Sequence, residues 1–480
     1  MTSTQIENIL AELVSSLGLS PVAIQPIAES GSTRRYYRVV TDSKSLIGTY
    51  SENVEENESF LYLSNHFSTI HLSVPQVLAV NAEHTCYVQS DFGDTSLFQY
   101  VNEDLRCNKY SDITIDYFKQ TIEQLVRFQV EGHQGLDYNK VYPTPCFDRS
   151  SILEDLNYFK YYFVKPHAEI VFNETRLNKE FEQIADFLGQ APSDFFMYRD
   201  FQSRNIMIAD GHPCFIDYQG GRKGPLQYDL VSLLYQVKAQ MPQELRNTLI
   251  DYYKQCVSKY LDVEAVQFDK YLPYFIYLRL LQVLGAYGFR GLIQKKSHFI
   301  ESIPFALKEI ERHFATTPIG EYPELCQVLT QLPILNQRYG VDRQPLEGKL
   351  VVTVNSFSFK KGYPVDHSGN GGGFVFDCRA LPNPGREQRF KTMTGRDFEV
   401  AEYLIEKPQT HIFLEHVKAI VGQSVDNYLE RHFSNLMVSF GCTGGQHRSV
   451  FFAQSIADWL KATYPNIIVK VNHIEQKIYE

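Results

Sequence analysis

The run Tyr198-Arg199-Asp200-Phe201-Gln202-Ser203-Arg204-Asn205, continued by Ile206-Met207-Ile208 and by Cys214-Phe215-Ile216-Asp217-Tyr218, constrains this chain more than any other stretch. An asparagine stands five residues after Asp200, and a second aspartate twelve residues after that asparagine. The two apolar segments read as short strands joined by the turn Asp210-Gly211-His212-Pro213, a hairpin that would fix Asn205 relative to Asp217. A hard cation takes oxygen ligands. One amide oxygen and one carboxylate provide two of them and leave positions for phosphate and water. The pattern suits phosphoryl transfer from a nucleotide: Asp200 to orient and deprotonate an acceptor hydroxyl, Asn205 and Asp217 to hold Mg²⁺ on the phosphates. Singly, each residue is an ordinary turn former. Three at this spacing around a hairpin point to chemistry.

The same block resembles the aminoglycoside phosphotransferase-like kinases, which share the protein-kinase fold. Within them it is most similar to the anomeric N-acetylmuramate/N-acetylglucosamine kinases of peptidoglycan recycling. The residues that carry this are Arg199 to Asn205, Ile216-Asp217-Tyr218-Gln219, and Gly224-Pro225-Leu226-Gln227-Tyr228-Asp229-Leu230-Val231-Ser232-Leu233-Leu234. The resemblance implies ATP and Mg²⁺ as cofactors, and gives Asp229 the task of bracing the Asp200 loop by hydrogen bonds. Tyr198 is a departure, since many relatives have His there.

At 480 residues the chain exceeds what one core serves, and 44% hydrophobic content with 14% aromatics predicts fully folded material. Its eight cysteines (86, 107, 146, 214, 256, 326, 378 and 442) are dispersed, without a C-x-x-C pair. That predicts reduced thiols and a cytoplasmic setting. The N-terminal apolar residues Ile6, Ile9, Leu10, Leu13, Val14 and Leu17 share a helical face, unlike a signal peptide, with Thr4 and Glu7 as a capping box and Gly18 as a stop. Tyr271 to Phe289 includes Pro273, Arg279 and Gln282 and predicts a buried helix rather than a membrane span. Residues 1–348 carry 31 Lys and Arg against 43 Asp and Glu, whereas residues 349–480 carry 15 against 13. The asymmetry marks a boundary near 349, and neither part is basic enough to predict a nucleic-acid partner.

In the N-terminal part, Val22 to Ala28 and Tyr36 to Val40 have strand character, with Glu29-Ser30-Gly31-Ser32-Thr33-Arg34-Arg35 between them. A kinase small lobe folds such a loop over the nucleotide phosphates. Ser32 and Thr33 would donate, and Arg34 or Arg35 would supply charge, with Arg35 expected at the nucleotide. The strand Ser45 to Tyr50 lacks the lysine that many kinases place there, so Glu58 on the next helix lacks its usual partner. Val88 to Ser90 reads as the interlobe hinge, with Gln89 and Ser90 at the nucleotide. Asp91-Phe92-Gly93 precedes the Asp200 loop and is therefore a turn rather than the metal-binding motif. Helices are expected over 116–133, 150–163 and 175–188.

The second site is Cys442-Thr443-Gly444-Gly445-Gln446-His447-Arg448-Ser449, between the strand Leu436 to Phe440 and a helix from Val450 to Leu460. A glycine loop entering a helix leaves N–H groups for an anion, and Thr443, His447 and Arg448 add donors. The spacing Cys442-x5-Arg448-Ser449 also fits a cysteine phosphatase loop, with Cys442 as nucleophile. Together with Ser356 to Pro364, Phe376 to Pro384 and Met393 to Asp397, however, the loop resembles the C-terminal domain of the RNase adapter RapZ. That resemblance implies a fold binding glucosamine-6-phosphate, with Thr443, Gly444, His447 and Arg448 lining the phosphate site and Asp377, Arg379 and Asn383 near it. The final residues, Ile474 to Glu480, are nearly balanced in charge, so RNA binding is not expected. The glycine-rich run His367 to Gly373 reads as a connection.

The resulting expectation is a two-lobed protein-kinase-like fold over 1–330 (small lobe about 1–90, large lobe about 91–330), a linker over 331–348 and a smaller α/β sugar-phosphate-binding domain over 349–480, α/β and α+β in class. The expected activity is an ATP-dependent sugar kinase with an amino-sugar substrate and a sugar-phosphate effector, and no membrane partner. The alternatives are a kinase for an aminoglycoside or choline-like alcohol, or a phosphatase at Cys442.

Overall fold

The computed structural model describes residues 1–27, 34–264, 266–339, 349–364, 366, 373–431 and 433–479. They form two compact units, one of Met1–Phe289 with Ser302–Arg338, the other of Arg290–Glu301 with Tyr339–Glu480.

The first unit opens with α1 (Ser3–Ser16), capped by Thr2, whose side chain accepts from the Gln5 N–H while the Gln5 side chain accepts from the Thr2 N–H. The capping box is thus Thr2 with Gln5, two residues ahead of the expected pair. Ile6, Leu10 and Val14 repeat every four residues and are fully buried. They pack on one face of an antiparallel sheet made by β1 (Pro21–Pro26), β2 (Arg35–Thr41), β3 (Ser45–Tyr50), β4 (Val77–Val80) and β5 (Cys86–Ser90), in the order β1-β2-β3-β5-β4. Against the other face lies α2 (Val54–Thr69), capped by Asn53. Phe60 of α2 stacks on Tyr87 of β5 at 5.0 Å and on Tyr218 at 5.1 Å, so one helix joins the sheet to the loop after Asp217.

The large lobe is helical: α3 (Leu97–Arg106), α4 (Asp112–Val130), α5 (Arg149–Phe159) and α6 (Glu174–Leu188) precede the site. The short strands β6 (Phe195–Met197), β7 (Ile206–Ala209), β8 (His212–Phe215) and β9 (Arg222–Gly224) carry it, pairing β6 with β9 and β7 with β8. Then come α7 (Leu226–Leu234), α8 (Gln243–Val257) and α9 (Phe268–Tyr287). Among the described residues no helix is long and apolar enough to cross a membrane. The helix α10 (Ser297–Ile300) falls in the second unit, while α11 (Ile303–Thr316) and α12 (Pro323–Gln331) return to the first. Of the expected linker, 331–339 is helical up to α13 (Asn336–Tyr339), and 340–348 lies outside the described residues.

The second unit is a mainly parallel sheet of β10 (Val351–Ser358), β11 (Gly373–Asp377), β12 (Asn435–Cys442), β13 (Ile468–His473) and the antiparallel β14 (Ile478–Tyr479), in the order β11-β12-β10-β13-β14. Helices α14 (Phe398–Ile405), α15 (Pro408–Glu430) and α16 (Arg448–Thr463) make the crossovers. Val352, Val354, Val438, Phe440 and Val471 of the sheet bury against Phe452, Ile456 and Leu460 of α16. The glycine-rich run falls at 367–372, outside the described residues, and Gly373 starts β11.

In the first unit α9 lies unusually close to α5. A Cβ on Gly285 would stand 2.7 Å from Phe159 N and 2.8 Å from the Tyr158 carbonyl carbon, both backbone atoms that cannot swing aside. Gly285→Val is therefore expected to cost about 3 kcal/mol by overpacking, measured by urea denaturation; an unchanged midpoint would show that the two helices separate freely.

Candidate functional site

The β7/β8 hairpin turns on Asp210 (φ 50°) and Gly211 (φ 77°), both left-handed as a two-residue type I′ turn requires. His212 and Pro213 belong to β8 rather than to the turn. Asn205 enters the hairpin and Asp217 leaves it, and the two side chains meet: Asn205 Nδ2 donates to Asp217 Oδ2 at 3.1 Å and to the Asp200 carbonyl at 2.9 Å. With the NH2 of the Asn205 amide engaged, its amide oxygen is the group of this side chain that can ligate a cation. Asp217 Oδ1 accepts from Gln219 Nε2 at 2.8 Å. Burial and the neighbouring Asp200 charge push the Asp217 carboxyl above its ordinary range, against the Gln219 hydrogen bond and the charges of Arg204 and Arg34. Among the described residues there is no group of three or more His, Cys, Asp or Glu side chains suited to a metal. One carboxylate beside one amide oxygen instead fits Mg²⁺ that keeps phosphate and water in its remaining positions.

The Asp200 side chain is 50% exposed, and its Oδ1 lies 4.0 Å from Arg279 Nη2 on α9. Arg199 before it (φ 79°) and Asp217 (φ 71°) both hold left-handed backbone, which costs a non-glycine residue roughly 1–3 kcal/mol and persists only where the surroundings enforce it. The enforcement is visible. Asp229 of α7 is fully buried and accepts from Tyr198 N at 2.7 Å and from Arg199 N at 2.9 Å. Arg199 makes a two-pronged ion pair with Asp155 of α5 at 2.7 and 2.9 Å and donates to Tyr228 Oη at 2.6 Å. Tyr198, where a histidine was the common alternative, donates its hydroxyl to the Ile216 carbonyl at 2.6 Å and ties this loop to the Asp217 segment. Of the loop's supports, Asp155 has no signal in the sequence beyond an isolated charge within a helical apolar pattern, whereas Tyr228 precedes Asp229 in the run 224–234 and Arg279 interrupts the apolar run 271–289.

In the small lobe Ser32 and Thr33 lie outside the described residues. Arg35 does not face the cleft: its Nη1 donates to the Met1 carbonyl at 3.2 Å and its guanidinium lies over Tyr50, on the α1 side of the sheet. Strand alternation sends Arg34 to the opposite face. Gln89 shares the cleft face with Tyr87, and its buried Oε1 has no hydrogen-bond partner. Ser90 turns away: its N–H donates to the Gln76 carbonyl, and its hydroxyl accepts from Gln76 N at 3.0 Å. Glu58 pairs with His84 at 3.2 Å on the surface. Asp91 forms a turn, accepting from Gly93 N at 2.8 Å and from Arg38 Nε at 2.8 Å.

In the second unit, the register brings Ser358, Asp377, Cys442 and His473 together at the carboxyl edge of the parallel sheet, where open α/β sheets bind ligands. Gly445 (φ 69°) curls the loop over Cys442, whose Sγ accepts from Gly445 N at 3.2 Å and lies 3.1 Å from Ser449 Oγ. Thr443 and Gly444 are exposed at the tip. His447 Nε2 bonds the Phe390 carbonyl at 2.8 Å. Arg448 is 5% exposed, and its Nη1 donates to the carbonyls of Arg379 (2.7 Å) and Leu381 (3.0 Å). Part of the arginine expected at a phosphate thus shapes the loop that follows β11. Arg379 itself pairs with Asp377 at 2.7 Å, and Asn383 Oδ1 accepts from Gly385 N at 3.2 Å.

A two-lobed fold with a braced carboxylate loop and a hairpin carrying Asn205 and Asp217 is that of a protein-kinase-like phosphotransferase. Residues 23–264 match the model of the phosphotransferase enzyme family, and residues 350–477 match the RapZ C-terminal domain. The first match spans half of the sequence, and the chain belongs to the phosphotransferase enzyme family. A nucleotide-binding protein of Methylococcus capsulatus is 32% identical over 188 residues, 39% of this chain and 58% of the relative. One of Clostridium botulinum is 34% identical over 146 residues, 30% of this chain and 48% of the relative. The chain thus spans about half the length of these relatives. Similar solved structures include a thermostable mutant of an aminoglycoside phosphotransferase (12% identity, 64% of this chain and 98% of that one, TM-score 0.43). A choline kinase from Cryptosporidium parvum is also similar (12% identity, 67% and 99%, TM-score 0.45).

Burial pushes the Asp229 carboxyl up to about 7, against its two backbone hydrogen bonds. The folded form therefore keeps a proton that the unfolded chain loses near pH 4. Stability from this source is full below that pH and is lost as pH rises through 7. Relative to Asp229→Asn, which cannot titrate, the unsubstituted protein should lose stability between pH 5 and pH 8 in urea denaturation; a constant difference would contradict the assignment.

Proposed function

We propose that this phosphotransferase is an ATP-dependent sugar kinase that phosphorylates the anomeric hydroxyl of N-acetylmuramate or N-acetylglucosamine in peptidoglycan recycling. The observation that carries the kinase part is the convergence of Asp200, Asn205 and Asp217, with Asn205 bonded to the other two and Asp200 half exposed beside them. Asp200 accepts the proton of the sugar hydroxyl as its oxygen attacks the terminal phosphorus of ATP and the bond to the bridging oxygen breaks to release ADP, an effect worth about 10²–10⁴-fold. Asn205 and Asp217 would hold Mg²⁺, which when bound would offset the charge of the phosphates. Gln89 faces the nucleotide. Asp229 and Tyr198 hold the loop so that Asp200 meets the acceptor in one orientation. The choice of sugar rests on the wording of residues 199–205, 216–219 and 224–234, and an aminoglycoside or choline-like acceptor would use the same machinery. Phosphorus NMR of reactions with a panel of amino sugars, aminoglycosides and choline tests this directly. A sugar 1-phosphate is expected, formed with Mg²⁺ and at least about 100-fold more slowly by Asp200→Asn. Undiminished transfer by that variant would overturn the role of Asp200, and product from another alcohol would replace the sugar.

For the second unit we infer binding of an amino-sugar phosphate such as glucosamine-6-phosphate at the carboxyl edge of the sheet. The Thr443 hydroxyl, the Gly444 N–H and His447 would supply donors, and Arg448 charge. The Cys442 contacts to Gly445 N and Ser449 Oγ also suit a phosphatase thiolate, but its arginine is turned toward two carbonyl oxygens. Calorimetric titration with glucosamine-6-phosphate should show binding that Thr443→Val weakens about fivefold, with no phosphate released. Release abolished by Cys442→Ser would make the loop a phosphatase.

A further inference from the structure

The large lobe places more positive charge around Asp200 than its own carboxylates balance. Two guanidinium groups meet at Tyr228: Arg199 Nη1 donates to its hydroxyl at 2.6 Å and Arg279 Nη1 at 3.3 Å. A third belongs to Arg222 of β9. The β6–β9 register sets Arg222 beside Met197, two residues before Arg199 and three before Asp200.

Two of these cations have a carboxylate. Asp155 takes Arg199 in the two-pronged pair, and Asp200 Oδ1 lies 4.0 Å from Arg279 Nη2. Arg222 has none among the described residues: its Nε donates to the Gly220 carbonyl at 3.1 Å and its Nη1 to Thr144 Oγ1 at 2.9 Å. Thr144 donates in turn to the Cys146 carbonyl at 3.2 Å, and Lys223 N donates to the Pro145 carbonyl at 3.0 Å, so the 144–146 segment fixes β9 and Arg222 on it. Asp229, the other acid of this cluster, accepts from two backbone N–H groups, and its carboxyl is pushed up to about 7.

Neutral acceptors orient a guanidinium without cancelling its charge, and taking that charge out of water is costly until an anion faces it. Burial and the Arg199 charge pull the Arg222 guanidinium below its ordinary value, against Tyr228, Asp155 and Asp200. Arginine stays protonated all the same. Its planar fork can keep Nε and Nη1 on their present partners while Nη2 takes a carboxylate oxygen. The same charge repels a cation, and like charges brought together select against the wrong ligand. Among the acceptors named above, choline and the aminoglycosides are cations, N-acetylglucosamine is neutral and N-acetylmuramate carries a carboxylate.

We propose that the acceptor is an acid whose carboxylate is bound by Arg222 while the hydroxyl to be phosphorylated lies at Asp200, which selects N-acetylmuramate over N-acetylglucosamine. Arg222 is a binding residue for the acceptor, and Thr144 a positioning residue for Arg222. The proposal rests on the sugar-kinase reading above and narrows it.

The test is the rate of phosphorylation of N-acetylmuramate against that of its methyl ester, with the full chain, Mg²⁺ and ATP. The ester keeps the sugar and all its hydroxyls and removes the charge. For the unsubstituted protein kcat/KM should favour the acid by about 10- to 100-fold. Arg222→Met should cut this acid-to-ester ratio about tenfold through the KM of the acid, Arg222→Lys should restore part of it, and Thr144→Val should lower it about threefold. Arg222→Gln gives the same reading should the Met variant fail to fold. A merely structural role would slow both substrates together and leave the ratio alone. An unchanged ratio in the Met and Gln variants, a loss confined to the KM of ATP, or an unsubstituted protein that uses ester and acid equally would overturn this assignment alone. Product from choline or an aminoglycoside and from no sugar would overturn the sugar reading and this assignment with it.

Discussion

One buried carboxylate sets the geometry of the first unit. Asp229 accepts the backbone N–H groups of Tyr198 and Arg199, and those two bonds hold Arg199 in the left-handed backbone that leads into Asp200. Unpaired, those N–H groups would each cost about 1–3 kcal/mol in the interior. The Asp155 and Tyr228 contacts then immobilise the Arg199 side chain, so the loop is fastened from α5 and α7 together. A half-exposed Asp200 stands at the end of this rigid arrangement. Its placement comes from its neighbours rather than from its own contacts.

The small lobe is referred to that loop through α2. Phe60 is stacked between Tyr87 and Tyr218, and Ser64 Oγ meets Tyr218 Oη at 2.6 Å. Because Tyr218 follows Asp217, any shift of α2 is felt at the candidate metal ligand. Packed aromatic contacts of this kind have few alternative arrangements. Helix α2 thus packs the sheet against the loop that carries Asp217.

The sequence disclosed what local rules govern. An Asp-Gly between two apolar runs specifies a two-residue hairpin, and this made the separation of Asn205 and Asp217 readable. Strand and helix phases were harder. Arg34 and Arg35 are adjacent, and one residue of slip exchanges the faces of a strand; the described Arg35 lies over Tyr50 on the α1 side. Glu58 pairs with His84 on the surface, a direction that depends on where the helix begins at Val54. Thr2 displaced Thr4 as cap for the same reason. Asp155 reaches the site from far along the chain, and no local pattern announces it. In the second unit the loop at Cys442 was legible as a strand-to-helix turn, but that Arg448 would spend Nη1 on carbonyls of the 379–381 segment was not.

The central claim is that Asp200, Asn205 and Asp217 face one magnesium–nucleotide complex. A crystal structure with Mg²⁺ and a non-hydrolysable ATP analogue tests it most directly. The account predicts an ion about 2.1 Å from Asn205 Oδ1 and from a carboxylate oxygen of Asp217, with the terminal phosphate turned toward Asp200. A nucleotide bound away from these side chains, or an ion held by other residues, would contradict it.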